Sequence, residues 1–211
     1  MRTVSAPPAR RRQRPGEASY FYFDHHFHHN AVKVLPGEYF VASERMLIMT
    51  ILGSCIAACL WDSQAHVGGM NHFMLPQDAT VGNSQDATGR YGSWAMELLI
   101  NTMMKQGARR ETMQAKIFGG AQVMGGFSTL NVGERNTRFV QEWLATEGIP
   151  IVSDDVLDTC ARKVVFFPAT GRAMVKRLSH TPLVDVLAQE SGRANAAALA
   201  RAARGGTVDL F

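Results

Sequence analysis

Cys55 and His72, seventeen positions apart, carry the strongest hint of chemistry in this 211-residue chain. A thiol beside an imidazole is the minimal unit of thiol-nucleophile catalysis: the ring takes the thiol proton and later returns one to the leaving group. The stretch between them reads as a hairpin. Ile56-Ala57-Ala58-Cys59-Leu60-Trp61 and Val67-Gly68-Gly69-Met70-Asn71 are apolar enough for strands, and Asp62-Ser63-Gln64-Ala65-His66 is polar and turn-like. Closed about Ser63-Gln64, the hairpin pairs position i with 127 − i and sets Cys55 opposite His72, Cβ atoms roughly 5 Å apart. Gly53-Ser54 permits a sharp turn that leaves the sulfur accessible, with backbone N–H groups near Ser54 and Cys55 placed to hold an oxyanion. On the hairpin alone, a buried structural cysteine is still the better reading.

The other reactive side chains make weaker cases. Cys59 shares a strand face with Cys55 but has no histidine partner, and Cys160 falls in a loop without an evident role. A third polar group normally orients a catalytic imidazole. Thr50 is the nearest candidate upstream, with Ser54, Asn71 and Asp62 as alternatives; Asn71 points to the strand face opposite His72, and Asp62 lies at the far end of the hairpin. An ordinary strand threonine remains an equal reading of Thr50. His25, His26, His28 and His29 invite a metal, yet they lack spaced cysteine or carboxylate partners and are read as binding none or only adventitiously. Gly68-Gly69, Gly119-Gly120 and Gly125-Gly126 lack the pattern of a phosphate loop and mark tight turns or close backbone approach.

These groups need a scaffold, and the chain is long enough for one domain with a substantial core. The net charge of +4 is concentrated in residues 1–16, which hold five arginines and no acid; the remainder has 17 basic against 18 acidic residues. The basic character therefore belongs to a tail, which argues against a nucleic-acid surface. Three cysteines with no CxxC spacing fit a reducing, cytoplasmic setting. No apolar run is long enough to span a membrane, and no signal segment follows the N-terminal arginines.

The sequence divides into a disordered basic tail (1–18), a folded domain (19–180) and an alanine-rich, partly helical extension (181–211). Tyr20 to Phe27 is aromatic and packs at the domain edge. Strands are expected at 32–35 and 38–41 around Pro36-Gly37, at 46–49, 56–61, 67–75, 115–118, 149–152, 163–167 and 172–178, with a turn at Pro168-Ala169-Thr170-Gly171. Gln77 to Tyr91 reads as a long polar loop near the active site. One helix starts at Ser93, buries Ala95, Leu98, Leu99, Thr102 and Met103, and stops at Gly107. A second is capped by Asn131, buries Phe139, Val140, Trp143 and Leu144, and ends at Gly148. The pattern indicates an α/β or α+β domain with a mixed sheet covered by helices.

Leu52-Gly-Ser-Cys55-Ile-Ala-Ala-Cys-Leu60 followed by Gly68-Gly-Met-Asn-His72-Phe-Met-Leu-Pro76 resembles CheD, the chemoreceptor glutamine deamidase family of bacterial chemotaxis. The resemblance extends through Val32-Lys-Val-Leu-Pro-Gly-Glu-Tyr39, Arg90-Tyr-Gly92, Ala115-Lys-Ile-Phe-Gly-Gly-Ala121, Asn131-Val-Gly-Glu-Arg-Asn136 and Pro168-Ala-Thr-Gly171. It implies a single-domain, three-layer α/β/α sandwich and hydrolysis of selected glutamines of methyl-accepting receptors to glutamate with release of ammonia. By position Cys55 matches the nucleophile and His72 the general base, and Thr50 is the only threonine just upstream of the cysteine, where the family uses one. No metal or organic cofactor is implied. A CheC-type phosphatase is an implied partner beside the receptor helices. A binding module, an amidase or methylesterase on receptor side chains, and a transglutaminase are the rival functions. One departure stands out: after Asp154-Asp155, where relatives tend to carry a glycine pair, this chain has Val156-Leu-Asp-Thr-Cys-Ala-Arg162, which bears on loop shape and substrate fit.

Overall fold

Side-chain alternation explains why strands dominate this chain. In Met46–Leu52, Ile48, Thr50 and Leu52 face one way and Leu47, Met49 and Ile51 the other, and all but Ile51 are buried. One face packs between the sheets, and the other is covered by Tyr22, Phe27 and Phe167. The computed structural model describes residues 14–43, 45–75, 84–122 and 132–178, with the backbone alone for 84–91.

The described strands are β1 (Tyr20–Asp24), β2 (His29–Lys33), β3 (Tyr39–Ala42), β4 (Met46–Leu52), β5 (Ile56–Asp62), β6 (Val67–Asn71), β7 (Met113–Gly119), β8 (Ile151–Val156), β9 (Arg162–Phe167) and β10 (Arg172–Arg177), with helices α1 (Ser84–Lys105) and α2 (Val132–Thr146). They form two mixed five-stranded sheets, ordered β1-β2-β4-β9-β10 and β3-β6-β5-β7-β8. The parallel pairs are β2 with β4 and β7 with β8; the rest are antiparallel.

The sheets face one another across a core of Val32, Ile48, Leu52, Val164 and Phe166 from the first and Cys55, Ala57, Cys59, Met70 and Phe118 from the second. Both helices cover the outer face of the second sheet, where Met96, Leu99, Ile100, Met103, Val140 and Leu144 pack on Ile56, Ala58, Leu60 and Ile117. The α+β class with mixed pairing stands. The α/β/α arrangement around one sheet is corrected: among the described residues the layers run helices, sheet, sheet. The reason is the strand supply, ten strands divided between two apolar inner faces, against two helices that share one side.

Other local expectations fare unevenly. The strands around Pro36-Gly37 are present, but β2 and β3 belong to different sheets, so the turn carries the chain across the sandwich. Tyr20 to Asp24 is a paired edge strand. Helix α1 begins at Ser84, well before Ser93, so 84–91 is helical where a loop was expected. Both helices end as read, with Gly107 and Gly148 at positive φ. In each, paired bonds close the last turn: Ala108 N–H to Met103 and Gly107 N–H to Met104, then Ile149 N–H to Leu144 and Gly148 N–H to Ala145. Asn131, the cap expected for α2, and the 181–211 extension lie outside the described residues. Residues 14–18, assigned to the tail, are held against β3: Tyr39 N–H donates to Gly16 and Ala18 N–H to Tyr39.

The β5–β6 hairpin pairs Cys59 with Met70 and Asp62 with Val67, so its register sum is 129 rather than 127. Asp62 causes the difference. Its Oδ1 accepts the N–H groups of Gln64 and Ala65, and its Oδ2 accepts the Arg109 N–H and the Thr112 hydroxyl, which builds a four-residue loop. Burial pushes the Asp62 carboxyl up, but those four donors outweigh it and hold its pKa below the ordinary value. A group lowered in the folded state stabilises the fold above its unfolded pKa, and that contribution is lost as pH falls through the folded value. Asp62→Ala is therefore expected to cost about 2–3 kcal/mol in urea unfolding at neutral pH. The deficit relative to wild type should shrink on acidification, and a neutral-pH midpoint equal to wild type would rule this role out.

Candidate active site

A two-residue shift of register leaves every side chain on its expected face, where a one-residue shift would have inverted them all. Cys55, Ala57 and Cys59 consequently still share a face with Met70, in the core between the sheets. Ala57, not Cys55, is the residue opposite His72 by count, and Cys55 lies one diagonal step away, just before β5.

The ladder is rearranged around His72. Ile56 and Phe73 exchange both backbone bonds, but at the next pair the Ala58 N–H donates to the Asn71 side-chain Oδ1, 3.0 Å away. Asn71 faces the helices, as expected, and its Nδ2 donates to the Ala95 carbonyl of α1. The His72 peptide turns instead to the 36–38 turn: its N–H donates to the Glu38 carbonyl and its carbonyl accepts the Gly37 N–H at 2.7 Å.

Thr50 reaches the ring from the opposite sheet. Its Oγ1 lies 2.8 Å from His72 Nδ1 and 2.7 Å from the Val34 carbonyl oxygen. A carbonyl cannot donate, so the single hydroxyl proton goes to Val34, and Oγ1 must accept from Nδ1–H. That places a proton on Nδ1 and leaves Nε2, shielded from solvent, as the nitrogen that can exchange one. Thr50 is 0% exposed and His72 2%, so water does not compete for this bond.

The Cys55 turn is pinned through three successive carbonyls. Gly53 accepts the Ala121 N–H, Ser54 accepts Asn136 Nδ2 at 2.9 Å, and Cys55 accepts the Gly120 N–H at 2.8 Å. Gly119-Gly120 is a close backbone approach, as the sequence suggested. A Cβ on Gly119 (φ +108°) would sit 2.1 Å from the Cys55 oxygen, and one on Gly120 would strike Thr137 of α2. Gly133 gives the matching room on the helix side, where a Cβ would meet the Gly120 oxygen. The pinning has a price in access: Cys55 is 0% exposed, so the accessible sulfur expected from Gly53-Ser54 is corrected to one enclosed between the sheets. A substrate has to open a path to it.

Two supporting residues were missed from sequence. Asn136 joins both strand ends, donating to Ser54 and accepting the Leu75 N–H at 3.0 Å. Its signal was a polar residue in line with Val140 and Leu144 on the buried face of α2. Arg162, fully buried at the start of β9, donates to the Asp155 carboxylate and to the carbonyls of Gly119 and Leu157. It ties down the loop of the sequence departure, where Leu157 (φ 64°) and Asp158 (φ 71°) hold a left-handed backbone suited to glycine. Leu157 N–H donates to Gly119, and Gln122 N–H to Asp158, so this loop also braces the strand end behind Cys55.

The remaining candidates lie elsewhere. Cys59 is buried, and desolvation pushes its thiol well up, so it stays protonated. Cys160 is half-buried. His25, His26 and His28 sit in the β1–β2 turn and His29 opens β2, and among the described residues no group of three or more His, Cys, Asp or Glu could hold a metal ion. No described helix is long and apolar enough to cross a membrane.

Residues 74–177 match the family model described as CheD chemotactic sensory transduction. A relative from Albidiferax ferrireducens named "Probable chemoreceptor glutamine deamidase CheD 1" is 64% identical over 93% of this chain and 82% of its own length. One from Thiobacillus denitrificans, named "Probable chemoreceptor glutamine deamidase CheD", is 47% identical over 92% and 96%. The solved structure of a Bacillus licheniformis hypothetical protein, YfiH, overlaps 57% of this chain and 51% of its own at 12% identity and a TM-score of 0.37, too distant to inform the site. Identity at the level of the first two, sustained across nearly the whole sequence, places this chain in the CheD family.

Proposed function

We propose that this chain is a protein-glutamine deamidase that converts glutamines of methyl-accepting chemotaxis receptors to glutamate, with Cys55 as nucleophile, His72 as general base and Thr50 orienting the ring. The curated relatives carry the deamidase name. The observation that supports the residue roles best is the committed Thr50 hydroxyl: with its proton on the Val34 carbonyl, it holds His72 with Nε2 as the basic nitrogen on the ring edge away from Thr50.

The steps then balance without a cofactor. Nε2 takes the Cys55 thiol proton, and the sulfur attacks the carboxamide carbon of a receptor glutamine. Backbone N–H groups at Ser54 and Cys55 hold the tetrahedral oxyanion. Imidazolium protonates the departing nitrogen, the C–N bond breaks, ammonia leaves and a thioester remains. Water then gives its proton to Nε2 and attacks the thioester carbon; the C–S bond breaks, the sulfur regains a proton, and glutamate is released. The inter-sheet position suits this chemistry, because hydrogen bonds and ion pairs are stronger where water is excluded.

The receptor's cytoplasmic helices are the substrate in this reading, which puts the enzyme in the cytoplasm. A CheC-type phosphatase partner rests on the family resemblance alone. Incubating a receptor cytoplasmic fragment with the protein and mapping Gln-to-Glu changes by mass spectrometry tests the function. Conversion at discrete glutamines is expected. Binding without conversion would make the chain a regulatory module, and an amine adduct at glutamine would make it a transglutaminase.

A further inference from the structure

We infer that Asn136 is a positioning residue that aims the Cys55 amide at the oxyanion, an assignment that rests on the deamidase reading. Asn136 is fully buried on α2, where its neighbours in line, Val140 and Leu144, are apolar. A buried carboxamide is retained at such a position only with its hydrogen bonds made. Here both ends are engaged, and the orientation is unambiguous: Leu75 offers an N–H and needs an acceptor, Ser54 offers a carbonyl and needs a donor. The Leu75 bond fixes the rotation of the carboxamide, so Nδ2 must face Ser54.

The consequence falls on the nucleophile. The Ser54 carbonyl and the Cys55 N–H belong to one planar peptide unit and point in opposite directions. By holding the Ser54 oxygen toward α2, Asn136 turns the Cys55 N–H away from the helix. The flanking carbonyls of Gly53 and Cys55 are held by Ala121 and Gly120, so the intervening peptide cannot relax alone once Asn136 is in place. An oxyanion donor works through such preorganisation, because it pays no reorganisation when charge develops. In this assignment Asn136 acts through the Ser54–Cys55 peptide, by its bond to the Ser54 carbonyl.

The test compares Asn136→Ala and Asn136→Asp with wild type on a receptor cytoplasmic fragment, alongside iodoacetamide alkylation of Cys55. Aspartate nearly conserves the side chain's shape and keeps the Leu75 acceptor, but once ionised it has no proton to donate to Ser54, so its kcat is read at the alkaline end of the pH profile. Both variants are expected to lose about 30- to 300-fold in kcat with KM within about threefold. The Cys55 alkylation rate should stay within about threefold of wild type, since alkylation develops no oxyanion. Wild-type kcat in either folded variant overturns the assignment. So does an alkylation rate that falls in step with kcat, or failure of both variants to fold, because each makes Asn136 a general support. Absence of deamidation by wild type overturns the deamidase reading itself, a result distinct from the others.

Discussion

Cys55→Ala is expected to reduce glutamine conversion at least about a thousandfold, leaving fold and receptor binding intact. The substitution removes one sulfur from a site where the backbone supplies most of the restraint. The bonds from Ala121, Asn136 and Gly120 to Gly53, Ser54 and Cys55 end on main-chain carbonyls, which alanine keeps. The vacated volume is small, so the cost in stability should be about 1 kcal/mol, visible as a modest shift in thermal unfolding. Cys59→Ala provides the contrast. It removes the same atom from the same inter-sheet core, with a comparable stability cost, and should leave turnover within a few-fold of wild type.

His72→Ala should be nearly as damaging, with a loss of about a hundred- to ten-thousandfold in kcat, because one ring nitrogen serves thiol, ammonia and water in turn. Thr50→Val separates the ring from its orientation. Valine matches threonine in shape but offers nothing to Nδ1, so the tautomer is no longer fixed and the Val34 carbonyl loses its donor. A loss of about ten- to a hundredfold is expected, with Thr50→Ser restoring most of it because serine keeps the hydroxyl. Steady-state kinetics on the receptor fragment would read both. Equal kcat in Thr50→Val and wild type would mean that the 2.8 Å contact is structural.

The alternation of apolar residues was enough to locate most strands, and the helix stops at Gly107 and Gly148 followed from glycine's tolerance of positive φ. The hairpin's face was legible and its register was not. Face depends only on parity, whereas register depends on the loop, and nothing local announces that Asp62 gathers four donors from two segments, the hairpin loop and residues 109–112. The meeting of Thr50 with His72 was hidden for a related reason. They belong to different sheets, and the packing of one sheet on another is not written in the period of either strand. Asn136 was visible as a polar interruption of an apolar helix stripe, but its two partners lie 61 and 82 positions away. The long polar segment before Ser93 misled because residues 84–91 lack an apolar stripe, although their backbone is helical.

Leu157 and Asp158 show a different kind of limit. Their positive φ is the conformation a glycine pair would adopt readily, and here it is kept by non-glycine residues. The brace explains how: Arg162 and the bonds between 119–122 and 157–158 hold the loop in place from both sides. With leucine and aspartate at these two positions, the loop still braces the strand end behind Cys55.

The most direct test is the rate of iodoacetamide labelling of the three cysteines in the native protein across pH, read by peptide mass spectrometry. Accessibility alone would favour the half-buried Cys160 over the enclosed Cys55 and Cys59. An imidazole-activated thiolate reverses that order: Cys55 should label fastest near neutral pH, and His72→Ala should slow it at least tenfold without altering Cys160. Labelling led by Cys160, with Cys55 no faster than Cys59 and indifferent to His72→Ala, would contradict a Cys55–His72 nucleophile.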